Sequence, residues 1–352
     1  MLSLRGIGLA CLPLVVVHGQ YQIAHVMSGP SFFDTWNFYN NVDNITNGDA
    51  FFVSQPDSLP DRLGLAFIND AGNAIIKVDN TTTLSSSSQK RNSVRIASTS
   101  SYSVGSLWIA DIAHLPYGCS AWPAWWSQAS NGPQGGEIHT FEGVNQVSHN
   151  QISLHTSPGC VLDRSDTSFT GTVNSTNCSA SADSDQGCVV TDPRTLSYGA
   201  DFAQSGGGVF VTEFAAKGIS IWFFPRSAVP DSVHNDNGSI DTSTLGTPVA
   251  NYSSEGCNTT TVFQPQQLIL DITLCGDVAG NATVFAETCS GTCSDDVIGP
   301  PSAYDNAYFE IKSINTYLDP NFSSNGATGS PTIWNFRCTL GISALAWLVA
   351  LM

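Results

Sequence analysis

Basic residues are scarce in this sequence: 12 Lys and Arg stand against 29 Asp and Glu, a formal charge of −17. A surface of that sign repels a phosphate backbone and excludes nucleic acid as a partner. No Gly-x-Ser-x-Gly elbow and no His-Glu-x-x-His pair occurs, so serine-esterase and zinc-protease chemistry lack their motifs. Repeats, blocks of like charge and long linkers are absent too, which makes one large domain more economical than two. Nor does any stretch carry a convincing amphipathic helical period.

What is present is a succession of turn residues separating short segments of branched and aromatic side chains, among them Val94 to Ser98, Leu107 to His114, Val209 to Phe214, Ile219 to Phe224, Leu268 to Leu274 and Tyr308 to Tyr317. Ile219, Ile221 and Phe223 alternate with period two, as strands do. The expected fold is all-β, an antiparallel sandwich with one concave face serving as a groove. Val209 to Phe224 reads as a hairpin whose loop, Ala215 to Gly218, uses Gly218 for a positive φ. Asp163 to Arg194, rich in Ser, Thr, Asp, Asn and Gly, reads as a surface loop stapled by cysteines.

Both ends look like processing signals. Residues 1–19 carry one cation, Arg5, then an apolar run ending at small Gly19, the layout of a secretory signal peptide. At the other end, small residues Ser324 to Ala327 precede a polar spacer and the apolar terminus Cys338 to Met352. That order matches a glycosylphosphatidylinositol signal, with Asn325 as the expected attachment residue and 326–352 as the removed propeptide. The expected mature protein is thus a domain over 20–320 followed by a short stalk at 321–325. It is secreted, monomeric and tied to the membrane or cell wall only through the lipid. Losing Arg5 and Arg337 with the signals moves the charge from −17 to about −19.

Eight cysteines remain between the signals: Cys119, Cys160, Cys178, Cys188, Cys257, Cys275, Cys289 and Cys293. None forms a Cys-x-x-Cys pair, so four disulfides of unspecified connectivity in an oxidising compartment are expected. Asn-x-Ser/Thr acceptors at Asn44, Asn80, Asn174, Asn177, Asn237, Asn251, Asn258, Asn281 and Asn321 fit a glycosylated extracellular surface.

The segment that carries chemistry runs from Gly135 to Asn145. On a regular strand Glu137 and His139 share a face, whereas Glu142 points the other way. One extra residue between His139 and Glu142, a β-bulge, brings all three to the same side. Two carboxylates so placed can work as a retaining glycosidase pair, one attacking the sugar and the other protonating the leaving oxygen. Just upstream, Trp122-Pro123-Ala124-Trp125-Trp126 supplies aromatic faces on which sugar rings stack, although Trp is as often a core residue. His139, His149 and His155 are a weaker constellation that adjacent strands could turn toward a metal.

The Trp-Pro-Ala-aromatic-Trp run followed by Glu-x-x-x-x-Glu resembles glycoside hydrolase family 16, and within it the fungal laminarinase-like endo-β-1,3(4)-glucanases. Ile109 to Cys119, Leu154 to Cys160, Trp222 to Pro230 and Cys275-Gly276-Asp277 are similar to family segments in family order. The resemblance implies a concanavalin-like jelly-roll sandwich with a glucan cleft, Glu137 as nucleophile and Glu142 as acid/base. It also implies Trp126, His155 and Arg95 as substrate-binding residues, and Trp122 of the same aromatic run is a candidate beside them. No cofactor is required on this reading, and a structural calcium is compatible with it, without a carboxylate cluster to mark its ligands. Three positions depart from the family pattern: His139 replaces its aspartate, while Gly132 and Val278 stand where tryptophans are usual. The expected activity is retaining endo-hydrolysis of β-1,3- or mixed-linked glucan. The alternatives are a wall-remodelling transglycosylase and, because of His139, a glucan-binding protein without turnover.

Overall fold

The computed structural model describes residues 20–322, apart from Ser87 and residues 235–237. The proposed signal peptide at 1–19, Asn237, Asn325 and the segment 326–352 lie outside the described residues.

Two large antiparallel sheets face each other, as the alternation of short apolar segments predicts. The nine-stranded sheet is ordered Ser239–Asp241, Gln20–Ser28, Tyr308–Leu318, Ser106–His114, Gly208–Ala215, Gly218–Pro225 and Ala250–Ser253, with Ala74–Lys77 and Ala66–Ile68 added beside Tyr308–Leu318. The eight-stranded sheet is ordered Thr172–Val173, Cys188–Thr191, Gln151–His155, Glu137–Glu142, Ala121–Ala129, Gln266–Leu274, Arg95–Tyr102 and Trp36–Phe38. A small third sheet joins Asn41–Val42, Ala50–Phe52 and Arg91–Ser93, the last two parallel.

Period-two side-chain alternation sorts the eight-stranded sheet into two faces. Ile96, Trp125, Ile138, Ile152, Leu154, Leu268, Leu270 and Ile272 point inward and join Phe210, Phe214 and Ile219 of the opposite sheet in one core. Phe141 links the layers directly, its ring 5.9 Å from Phe210 and 6.2 Å from Phe309. Burying a ring of that size stabilises by about 1.5–3 kcal/mol. The neighbours of these residues in sequence, Arg95, Ala97, Trp122, Trp126, Ile269 and Asp271, occupy the outward face of the same strands.

Two local expectations need correction, the bounds of the hairpin loop and the segment 163–194. The hairpin loop is only Ala216 and Lys217, because Ala215 pairs with Gly218. Gly218 belongs to the strand, and its φ of +142° accompanies a close approach to Tyr252, whose carbonyl oxygen a Cβ would meet at 2.4 Å. Residues 163–194 are not loop throughout, since Thr172–Val173 and Cys188–Thr191 extend the eight-stranded sheet. Short helices do occur, such as Gly199–Gln204, Ala282–Thr288 and Cys293–Ile298. At six or seven residues each, they span too few turns for a 3.6-residue period to show in sequence.

All eight expected cysteines are paired: Cys119 with Cys289, Cys160 with Cys257, Cys178 with Cys188 and Cys275 with Cys293. The first and last tether the helical segment 276–298 to the ends of two central strands of the eight-stranded sheet. Among the described acceptor asparagines, Asn44, Asn174, Asn177, Asn258, Asn281 and Asn321 are exposed and Asn80 and Asn251 half-buried.

Candidate active site

Strand Glu137–Glu142 begins where the backbone requires glycine. Gly136 has φ +87°, and a Cβ there would strike the Phe263 ring at 2.1 Å. The strand then pairs Glu137 with His155, Ile138 with Leu154 and His139 with Ser153, and after a register shift Glu142 with Gln151. On its other side the shift falls between Trp125, opposite Phe141, and Trp126, opposite His139. This is the expected bulge. Thr140 and Phe141 are consecutively buried, and Glu142 returns to the face of Glu137 and His139.

A bulge leaves backbone groups outside the ladder, and buried ones need partners. Asn150, fully buried, supplies them: its Nδ2 donates to the Thr140 carbonyl at 3.0 Å, and its Oδ1 accepts from the Glu142 N–H at 3.0 Å. Thr140 Oγ1 also shares a 2.6 Å hydrogen bond with Thr212 Oγ1 on the opposite sheet. Asn150 was not anticipated, because its role exists only once the neighbouring strand is in register.

On the outward face the two carboxylates flank one imidazole. His139 Nε2 lies 3.5 Å from Glu137 Oε2, and His139 Nδ1 lies 3.5 Å from Glu142 Oε2. The side chains of His139, Glu137 and Glu142 are 12%, 13% and 20% exposed, so solvent reaches them. Each outer oxygen has its own donor: Gln128 Nε2 to Glu137 Oε1 at 2.7 Å, and Trp122 Nε1 to Glu142 Oε1 at 2.8 Å. Burial opposes charge on His139, but Glu142, Glu137 and Asp271 outweigh it and hold the imidazole above its ordinary 6.5.

The remaining sequence-derived residues gather around this centre. Trp126 is 6% exposed; it stacks on His139 at 5.0 Å with 15° between the rings, and its Nε1 donates to Asp271 Oδ1 at 2.8 Å. Arg95 places its guanidinium 5.2 Å from the Trp126 ring and 4.9 Å from Tyr39. Trp126 and Arg95 thus lie largely enclosed in the floor of this face, with the Trp126 ring against His139. Trp122 is half-buried and anchored to Glu142. His155 lies 5.1 Å from the His139 ring; its Nε2 is 3.2 Å from Ser153 Oγ, and its Nδ1 is 3.0 Å from Asp185 Oδ1. Asp185 comes from the loop closed by Cys178 and Cys188. His149 contacts Ser148, at 2.9 Å, and no contact joins it to His139 or His155. Among the described residues, no group of three or more His, Cys, Asp or Glu is arranged to hold a metal ion.

Asp271 had no sequence signal. Its position opposite Arg95 and Ala124 in the ladders sets it in the floor, where burial lifts its carboxyl to about 6 against the pull of Arg95 and the Trp126 N–H.

An XgeA-like catalytic domain of glycoside hydrolase family 16 matches residues 36–317 of the chain. A protein of Aspergillus fumigatus named probable endo-1,3(4)-beta-glucanase is 41% identical over 307 residues, covering 84% of this chain and 45% of that protein. The chain thus spans about half the length of this relative. Among solved structures, laminarinase 16A from Phanerochaete chrysosporium, with 6-O-glucosyl-laminaritriose in donor and acceptor sites, has a TM-score of 0.81 and 36% identity over 85% of this chain and 100% of that one. A family 16 elongating β-1,3-glucosyltransferase has a TM-score of 0.78 and 38% identity, again over 85% of this chain and 100% of that one. The sandwich is the jelly roll of the family 16 laminarinases.

Proposed function

The chain belongs to glycoside hydrolase family 16, and on that footing we propose that it is a retaining endo-glucanase acting on β-1,3- or mixed β-1,3(4)-glucan. The observation that carries the proposal is the pair Glu137 and Glu142 on one solvent-reached face, held on either side of His139. Glu137 attacks the anomeric carbon while Glu142 gives its proton to the departing glucan oxygen. Water then attacks the glycosyl-enzyme, returning a proton to Glu142 as Glu137 leaves.

His139 supports this chemistry by charge. An imidazole held above its ordinary 6.5 places positive charge between the two acids and can donate toward either. Arg95, Trp126, Trp122 and His155 complete the substrate-facing surface. Because no aromatic ring stands at Gly132 or Val278, weaker stacking of the glucan is part of the proposal. The reading also places the protein outside the cell and lipid-anchored on the strength of its terminal sequences, and glycosylated on its Asn-x-Ser/Thr acceptors.

The test is stereochemical. Proton NMR of fresh laminarin digests should show the β-anomer first, followed by mutarotation; initial α-anomer would refute a double displacement. A second reading, transfer to another glucan, is favoured by the likeness to the elongating glucosyltransferase. Added laminari-oligosaccharide acceptors would then yield products longer than the substrate.

A further inference from the structure

The two oxygens of Glu137 have unlike partners. Oε1 accepts a 2.7 Å hydrogen bond from Gln128 Nε2, whereas Oε2 faces His139 Nε2 at 3.5 Å. Gln128 is set there by its strand, opposite Glu137 in one ladder and Gln267 in the other. His139 is shared, since its Nδ1 lies 3.5 Å from Glu142 Oε2 and makes no hydrogen bond. A neutral imidazole has one N–H and serves one carboxylate at a time; an imidazolium serves both. If His139 were the only donor to Glu137, the carboxylate's orientation would change with each protonation event at the imidazole. A primary amide does not titrate, so its donor is constant.

Resting on the assignment of Glu137 as nucleophile, we propose that Gln128 is a positioning residue whose amide fixes the Glu137 carboxylate whatever the charge on His139. The imidazole is then free to act on Glu142. The charged and titratable groups facing His139 are Glu137 and Glu142 on its own strand, Asp271 from another strand of the sheet, and His155; Arg95 lies beyond the Trp126 ring and Asp185 beyond His155. Trp126 covers the ring face without charge. None of these donates to Glu137 Oε1, which is the gap that Gln128 fills.

Gln128→Met keeps the side chain's length and removes the donor; Gln128→Asn keeps an amide one methylene short and guards against a folding failure of the first variant. In both, kcat on laminarin should fall about 10-fold to 100-fold, with KM within about twofold. The acidic limb of the pH profile should move up, because the carboxylate has lost a hydrogen bond. A purely structural role would scale the whole profile without moving that limb. Independently of turnover, the NMR titration midpoint of His139 should rise in the variants, since a less stabilised Glu137 draws the imidazole proton more strongly. An unchanged acidic limb together with an unchanged His139 midpoint would overturn the role of Gln128. Should wild type turn over no β-glucan, the proposed function falls, and the His139 titration alone upholds or overturns the positioning role.

Discussion

Glu213 lies on the strand Gly208–Ala215 of the nine-stranded sheet and is 2% exposed. Tyr21 Oη donates to it at 3.1 Å, Thr242 Oγ1 donates at 2.8 Å, and Lys217 Nζ approaches its other oxygen at 3.0 Å. Glu137 and Glu142, on the opposite sheet, have one neutral donor each and share a single imidazole between them. Among the described residues, neither makes an ion pair with Lys or Arg. Asp271 below them is buried with one indole N–H donor, and burial lifts it to about 6 despite the pull of Arg95. A buried carboxylate given two hydroxyl donors and a cation beside it is held in place as part of the fold. Carboxylates with fewer donors, on a face that solvent reaches, are placed to meet a substrate.

The largest effect that sharpens this contrast is on turnover. Glu137→Gln should lower kcat on laminarin by about 10^4-fold or more, while Glu213→Ala should leave kcat/KM within about twofold when both are assayed well below their unfolding temperatures. Equal loss in the two variants, read from reducing ends released, would erase the distinction.

Next comes the buried floor. Lifting a carboxyl from its ordinary 3.8 to about 6 corresponds to a penalty of about 3 kcal/mol on its charged form. The folded state holds this proton more tightly than the unfolded chain, so stability falls as pH rises from near 4 through 6. Asp271→Asn, which can still accept from Trp126, should abolish that fall and gain roughly 1–3 kcal/mol over wild type at pH 7, with little difference at pH 4. Urea midpoints at the two pH values decide it; a gain of the same size at both would assign the effect to packing.

The smallest effect concerns Glu213 itself. Removing it in Glu213→Ala strands two hydroxyls, and the expected loss is about 2 kcal/mol in urea unfolding. Its ion pair adds little to that figure, since Lys217 is 68% exposed and screened by water. A neutral outcome would mean that Glu213 is as dispensable for stability as it is for turnover.

How far the sequence carried is clearest along one strand. Period-two alternation and the odd spacing of Glu137 and Glu142 were enough to require a bulge, and the bulge falls where that parity argument put it. The run Trp122 to Trp126 announced aromatic residues near the carboxylates, but not their duties. One indole is tied to an acid, one lies in the core and one lies beneath the imidazole. Gln128, Asn150, Asp185 and Asp271 left no trace because each acts across a ladder or from a disulfide-closed loop on a residue 8 to 145 positions away. An isolated amide or acid has no periodicity from which to be read.

The sequence by itself determined which side chains alternate to one face of each strand, the parity that demands a bulge, and the even number of cysteines available to pair. Those properties depend on neighbours within a few residues, where chain geometry fixes directions. Which strands lie side by side, which cysteines meet, and which donors reach Glu137 and Glu142 were decided only by the assembled sandwich. Hydrogen bonds act over about 3 Å, and only tertiary packing brings distant parts of the chain within that range.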